Sequence, residues 1–132
     1  MTTTFLNPRD VHTPVGPYSH TAVVQDGSEL VFISGQVGMR TDGTIPPGFG
    51  DQVELTFQNL RACLTAHGLR VDAVVKLGVF IVPGQDFQLL RAARERHFGT
   101  HRPTSTSVFV PQLANPAFLV EIEAIAAKRP GL

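Results

Sequence analysis

The chain is poor in the residues that carry the commoner chemistries. It has one cysteine, Cys63, no tryptophan and one tyrosine, Tyr18, and its 11 Lys+Arg are balanced by 11 Asp+Glu. A lone cysteine excludes an internal disulfide and fits a reducing compartment. Zero net charge with no basic stripe and a single tyrosine argues against nucleic acid, and the charge balance also argues against an anionic membrane surface as partner. No apolar run approaches the roughly 18 residues that span a bilayer, and the start MTTTFLNPRD has no apolar core of a secretion signal. The expectation is a soluble cytoplasmic protein, one domain over 1–132, with 1–13 as a loose polar arm.

What is present is a pattern of alternating periods. Runs at 20–24 and 29–34 flank Asp26-Gly27, a strong hairpin signal. Val53, Phe57, Leu60 and Leu64 recur at helical spacing and Gly68 follows them, which predicts a helix over 51–67. β-branched residues return over 71–82. Asp86 then caps a second helix that carries Phe87, Leu90 and Phe98 and ends at Gly99. Strands near 105–110 and 117–127 close the chain. The order β-β-α-β-α-β-β is an α+β domain whose crossovers put both helices on one face of the sheet. Along 71–82 neither set of alternate positions reads as polar, so the uncovered face is expected to be buried by another subunit. The low charged share, 17%, points the same way. A lysine at Val79 is therefore expected to break up or aggregate the assembly.

Candidate chemistry is sparse. In 120–126 alternation puts Val120, Ile122, Ala124 and Ala126 on one face and Glu121 and Glu123 on the other. Carboxylates on the face without helices either pair with a neighbouring subunit's cations or act as a general base or water-orienting group. His97 and His101 are four apart, but Gly99 between them ends the helix, so no metal site is expected. Gly43, Gly48 and Gly50 lack phosphate-loop spacing, and Cys63 reads as packing. The stretch 102–110, RPTSTSVFV, places four hydroxyls ahead of an apolar strand end. It reads as the polar lining of a pocket or, more plainly, as a polar strand start.

Several motifs together resemble one family. Gly16-Pro17-Tyr18-Ser19, Phe32-Ile33-Ser34-Gly35-Gln36-Val37-Gly38, Gln58-Asn59-Leu60-Arg61-Ala62 and Val120-Glu121-Ile122-Glu123-Ala124-Ile125-Ala126 are similar in order and spacing to the Rid/YjgF proteins. These are the reactive intermediate deaminases, also called the endoribonuclease L-PSP family, and the likeness runs from about 14 to 128. The resemblance implies a chorismate-mutase-like subunit in a homotrimer with a central barrel and a small-molecule pocket at each subunit interface. It implies hydrolysis of short-lived imines or enamines without metal or organic cofactor. Tyr18, Ser34 and Gly35 would line the pocket, and Glu121 would place the attacking water.

One departure matters. Where the deaminating branch has an arginine in this strand, the chain has Ser105, within Pro103-Thr104-Ser105-Thr106-Ser107. That arginine grips the substrate carboxylate through two charge-assisted bonds, which serine cannot reproduce. Arg102 is excluded as a substitute by strand parity, and nothing in the sequence brings Arg40 or Arg70 to the pocket. Ser105 and Ser107 are expected to contact ligand. The expected function is hydrolysis of a small polar metabolite without the usual 2-imino acid deamination; the alternative is a non-catalytic small-molecule-binding or regulatory protein. The assembly is directly testable. Sedimentation equilibrium at micromolar concentration is expected to give three times the 14.3 kDa chain mass, and a stable monomer would remove the basis for interface pockets.

Overall fold

The structure is a computed structural model and describes residues 2–129. Its main sheet contains β3 (Glu29–Val37), β4 (Val74–Ile81), β5 (Thr104–Phe109) and β6 (Val120–Lys128), in spatial order β3-β6-β4-β5. Helices α1 (Phe49–Thr65) and α2 (Phe87–Phe98) pack on one face of it, and β1 (Thr3–Leu6) and β2 (Thr21–Val24) form a separate antiparallel pair. The β4–β5 connection through α2 is parallel, while β6 is antiparallel to both of its neighbours. This is the α+β architecture expected from the change of period, with two helices on a sheet.

The core is the seam between α1 and the sheet. Val53, Phe57, Leu60 and Leu64 line one side of α1, at the spacing that one helix face presents. They meet Leu77, Val79 and Ile81 of β4 and Val120, Ile122, Ala124 and Ala126 of β6, all in one buried cluster. The helix starts two residues ahead of the sequence expectation because Phe49 is itself buried and is drawn into the first turn. Asp86 does cap α2, its Oδ1 accepting from the Gln88 N–H at 3.0 Å. At the other end of α2, Arg96 and His97 both reach Glu54 of α1, at 2.9 and 3.0 Å. The hydrogen bond from Arg96, more than that from His97, holds the Glu54 carboxyl below its ordinary range.

Four expectations are corrected. The Asp26-Gly27 turn forms, with the Ser28 N–H donating to the Gln25 carbonyl at 3.2 Å, but its flanking strands part. β2 pairs with β1 and β3 pairs with β6, so no hairpin ladder joins them. The first thirteen residues are consequently not all loose, since Thr3–Leu6 is a strand and Thr3 is buried. Within 71–82, residues Val71–Ala73 are a short 3-10 turn, and a register shift between Val74 and Lys76 resets the alternation. The outward face of β4 then holds exposed Lys76 beside Gly78 and half-buried Phe80, so it is more polar than the sequence implied. Val79 is only 3% exposed and faces the helices; a lysine there would break the subunit core, not an interface.

One polar side chain organises the buried layer. Gln52 of α1 is completely buried, and its Nε2 donates to the Pro46 and Ala117 carbonyls at 2.9 and 2.8 Å. Its Oε1 accepts from the Leu119 N–H at 2.9 Å. Gln52→Leu would keep the volume but strand three backbone groups, each worth about 1–3 kcal/mol when left unpaired. Denaturant unfolding is expected to show a loss of about 3 kcal/mol or more, and a loss under about 1 kcal/mol would show that water replaces the carboxamide.

Candidate functional site

The residues that the sequence nominates fall into two groups. The first lies beside β5. Ser105 pairs with Leu77 and Ser107 with Val79, so both serines share the helix-bearing face with those core residues. The segment 16–19 folds against the start of this strand. The Ser19 N–H donates to the Pro103 carbonyl at 3.1 Å, and Ser19 Oγ donates to the Arg102 carbonyl at 2.6 Å. Tyr18 is thereby held near β5, half-buried, its hydroxyl accepting from the Val15 N–H at 3.3 Å.

A residue that sequence reasoning missed joins this group. Arg94 of α2 donates from Nη1 to Ser105 Oγ at 3.2 Å and from Nη2 to the Pro17 carbonyl at 2.9 Å. Burial, with a smaller push from the like charge of Arg102, lowers its pKa to about 10, so it remains cationic at neutral pH. The position next to Ser105 therefore does hold a guanidinium, supplied by a helix instead of by the strand. Arg102 also belongs here. Strand parity does not govern it, because β5 begins at Thr104 and Arg102 lies in the coil before it. Its Nη1 donates to the Gly99 carbonyl at 2.6 Å, and its side chain lines a cavity shared with Arg94.

The second group lies on the face that carries no helix. Glu121 pairs with Phe80 of β4 and with Val37 of β3, and its side chain runs toward β3. There β3 is irregular between Ile33 and Gln36, and Gly35 sits in that irregularity. A Cβ on Gly35 would overlap the Glu121 carboxylate, so the glycine is what lets the carboxylate lie against the strand. Glu123 lies over Gly78 in the same way, its Cγ 2.9 Å from where a Cβ would stand. Ser34 is exposed beside Gly35. Within one chain, Ser34, Gly35 and Glu121 thus assemble at one edge of the sheet. Tyr18, Ser105 and Ser107 assemble at the other edge and on the opposite face.

His97 and His101 are used structurally. His97 stacks on Phe57 at 5.2 Å as well as bonding Glu54, and His101 bonds the Val74 carbonyl at 2.8 Å. No group of three or more His, Cys, Asp or Glu side chains converges as a metal site among the described residues. Cys63 is half-buried against the core. No helix among the described residues is long and apolar enough to cross a membrane.

The arrangement is a two-helix α+β layer with hydroxyls on one edge strand and a glycine-seated glutamate near the other. The family model for endoribonuclease L-PSP matches residues 10–128, and the chain belongs to that family, the Rid/YjgF proteins. It is 35% identical over 125 residues to the RutC family protein YjgH of Escherichia coli, covering 93% of each chain. It is also 35% identical to the 2-iminobutanoate/2-iminopropanoate deaminase of Dermatophagoides farinae, covering 85% of this chain and 86% of that one. Among solved structures it resembles the Rid family protein YyfB of Yersinia pestis, with a TM-score of 0.84 and 26% identity over 96% of this chain and 98% of that one. The E. coli protein TdcF, solved with bound serine, matches with a TM-score of 0.70 and 32% identity over 95% and 98% of the two chains.

The seating of Glu121 is testable by itself. Gly35→Ala is expected to swing the carboxylate off β3 with little loss of thermal stability, because the displaced atoms end a flexible side chain. A crystal structure of the variant with the Glu121 carboxylate unmoved would contradict this.

Proposed function

We propose that the chain is a Rid-type hydrolase of a small polar metabolite, working as a homotrimer with a ligand cleft at each subunit interface, and that it is not a 2-imino acid deaminase of the usual kind. The observation that carries the reading is the pairing of Ser105 with Arg94. The strand position that would present a cation into the cleft offers a neutral hydroxyl. The nearby guanidinium already spends two of its nitrogens on Ser105 and on the Pro17 carbonyl. A short α-imino acid entering the cleft has to leave its carboxylate hydration behind for weaker partners. Losing a charged partner to a buried carboxylate costs about 2–5 kcal/mol, roughly 30- to several-thousand-fold in binding.

The trimer is supported by the face that the helices leave bare. Phe32 is 72% exposed there and Leu30 48%, with Val108 of β5 40% exposed on the same side. Such apolar area on a sheet is the kind that a second copy covers. Assembly also answers the separation of the two groups, since a cleft between subunits can join Glu121 of one to Tyr18, Ser105 and Ser107 of another. In that cleft Glu121 accepts a hydrogen bond from water and aims it at the imine carbon. Addition forms the C–O bond, the C–N bond then breaks, and the products are a carbonyl compound and ammonia. The chemistry needs no metal or organic cofactor. The names of relatives support imine hydrolysis and a small polar ligand in general, without fixing the substrate: one is a 2-iminobutanoate/2-iminopropanoate deaminase, and TdcF was solved with bound serine.

A non-catalytic binding protein is the second reading, and one observation favours it: no single chain brings Glu121 and Ser105 to one face. The test is an assay in which 2-aminoacrylate or 2-iminopropanoate is generated in situ and keto acid release is followed. Release at the uncatalysed rate is expected. Turnover at about 1 s⁻¹ or faster would show that the short carboxylate is gripped after all. Ser105→Arg is not a simple restoration, because the new guanidinium would meet that of Arg94.

A further inference from the structure

Arg94, whose bond to Ser105 carries the reading above, belongs to a wider cluster of arginines around α2. A cavity of about 260 Å³ lies between α2, the 16–17 segment and the coil before β5, lined by Gly16, Pro17, Arg91, Arg94, Glu95 and Arg102. Three guanidiniums face one carboxylate, and none of the four side chains is in an ion pair among the described residues. Arg91 is exposed and makes no hydrogen bond to another described residue, while Arg94 Nε is buried without a partner. Like charges gathered with too few counter-charges are costly, and an anion between them relieves that cost. The depressed pKa of Arg94, to about 10, reflects burial first and Arg102 second, and agrees with a cluster short of negative charge.

The cavity does not stand alone. Pro17, Arg91 and Arg94 also wall a second cavity of about 240 Å³, whose other lining includes Ile81, Phe87, Leu90 and Phe109. Phe87 and Phe109 meet edge to face at 5.0 Å, although they are 38% and 58% exposed. A cationic chamber therefore opens beside an aromatic one, with two arginines at the boundary.

We propose that Arg91, Arg94 and Arg102 are the anion-recognising end of a two-part site, whose ligand is a small organic oxyanion with an aromatic or branched aliphatic body. The oxyanion sits among the guanidiniums, and the body lies along Phe87, Leu90 and Phe109. This rests on taking the region beside Tyr18 and Ser105 as the ligand site, and it names the ligand class that the site selects. A short imino acid has nothing to place in the aromatic chamber, so it lacks the burial that offsets the hydrogen bonds Arg94 already makes to Ser105 and the Pro17 carbonyl.

Isothermal titration calorimetry on the intact protein, with no turnover involved, separates this from the hydrolytic reading. The probes are phenylacetate, phenyl phosphate, acetate and the neutral isostere phenylacetamide. Phenylacetate or phenyl phosphate is expected to bind, the two arms deciding whether the oxyanion is a carboxylate or a phosphate. Acetate should bind at least about tenfold more weakly, because burial of the ring is lost, and phenylacetamide should give no measurable heat. Affinity should fall as salt rises. Arg91→Gln, at a side chain with no structural hydrogen bond, should weaken the binding about tenfold, and Arg94→Gln should weaken it further. Binding of phenylacetamide as tight as that of phenylacetate would overturn the proposal, as would affinity unchanged by Arg91→Gln, or no heat with either aromatic anion. Keto acid release from the short imines in the assay above would overturn the proposed function and leave this inference standing, because the calorimetry reads binding alone.

Discussion

The structure hangs on a buried carboxamide. Gln52 lies in the first turns of α1 with no exposure, yet it makes three backbone hydrogen bonds, one to the loop just before the helix and two to residues distant in sequence. Those bonds tie the loop before the helix to the two residues that lead into β6. The end of β3 closes on the same point, because a Cβ on Gly38 would stand 2.6 Å from the Gln52 Cα. Helix start, strand end and strand start are therefore fixed to one another within a few ångströms. Three backbone groups that the chain cannot pair locally are satisfied by one side chain, which is why a polar residue occupies the core there.

The register of β6 follows from that anchor. With Leu119 held, Val120 turns inward and Glu121 outward, and every second residue to Ala126 packs under the helices. A slip of one residue would bury both glutamates and expose the apolar set. The same register leaves Glu121 facing the bare side of the sheet, against Gly35, while Ser105 and Ser107 follow Leu77 and Val79 to the helix side. Two incomplete polar surfaces on opposite faces and opposite edges are the result. On the proposed reading they are halves of a cleft, and the exposed Phe32 and Leu30 between subunits are what brings the halves together.

Much of this was legible in the residues and some of it was not, for identifiable reasons. The apolar spacing of Val53, Phe57, Leu60 and Leu64 has one structural solution, and strict alternation in β6 has one as well, so both were read correctly. The Asp26-Gly27 turn was also legible, but a turn signal is local and a strand's partner is not. Here β3 pairs with a strand some ninety residues away and β2 with the N-terminal segment. The bulge that puts Lys76 outside left no mark in a run of β-branched residues. Arg94 was invisible for another reason. On a helix whose polar residues include Arg91, Glu95 and Arg96, one arginine looks like a solvated side chain until the fold sets it 3.2 Å from Ser105. Arg102 was misjudged because parity was applied beyond the end of the strand.

The central claim is that Glu121 and Ser105, far apart in each subunit, face one another across a subunit boundary. Cross-linking tests it directly. In a Cys63→Ala background, Ser34→Cys marks the Glu121 side and Ser107→Cys marks the Ser105 side, and both positions are exposed. Within one chain they lie on different faces of the sheet, so a short bis-maleimide cannot bridge them without a second subunit. Treatment of the dilute double variant should yield covalent dimers and trimers, while either single variant should not give trimers. A product that stays at the mass of one chain would contradict the shared cleft.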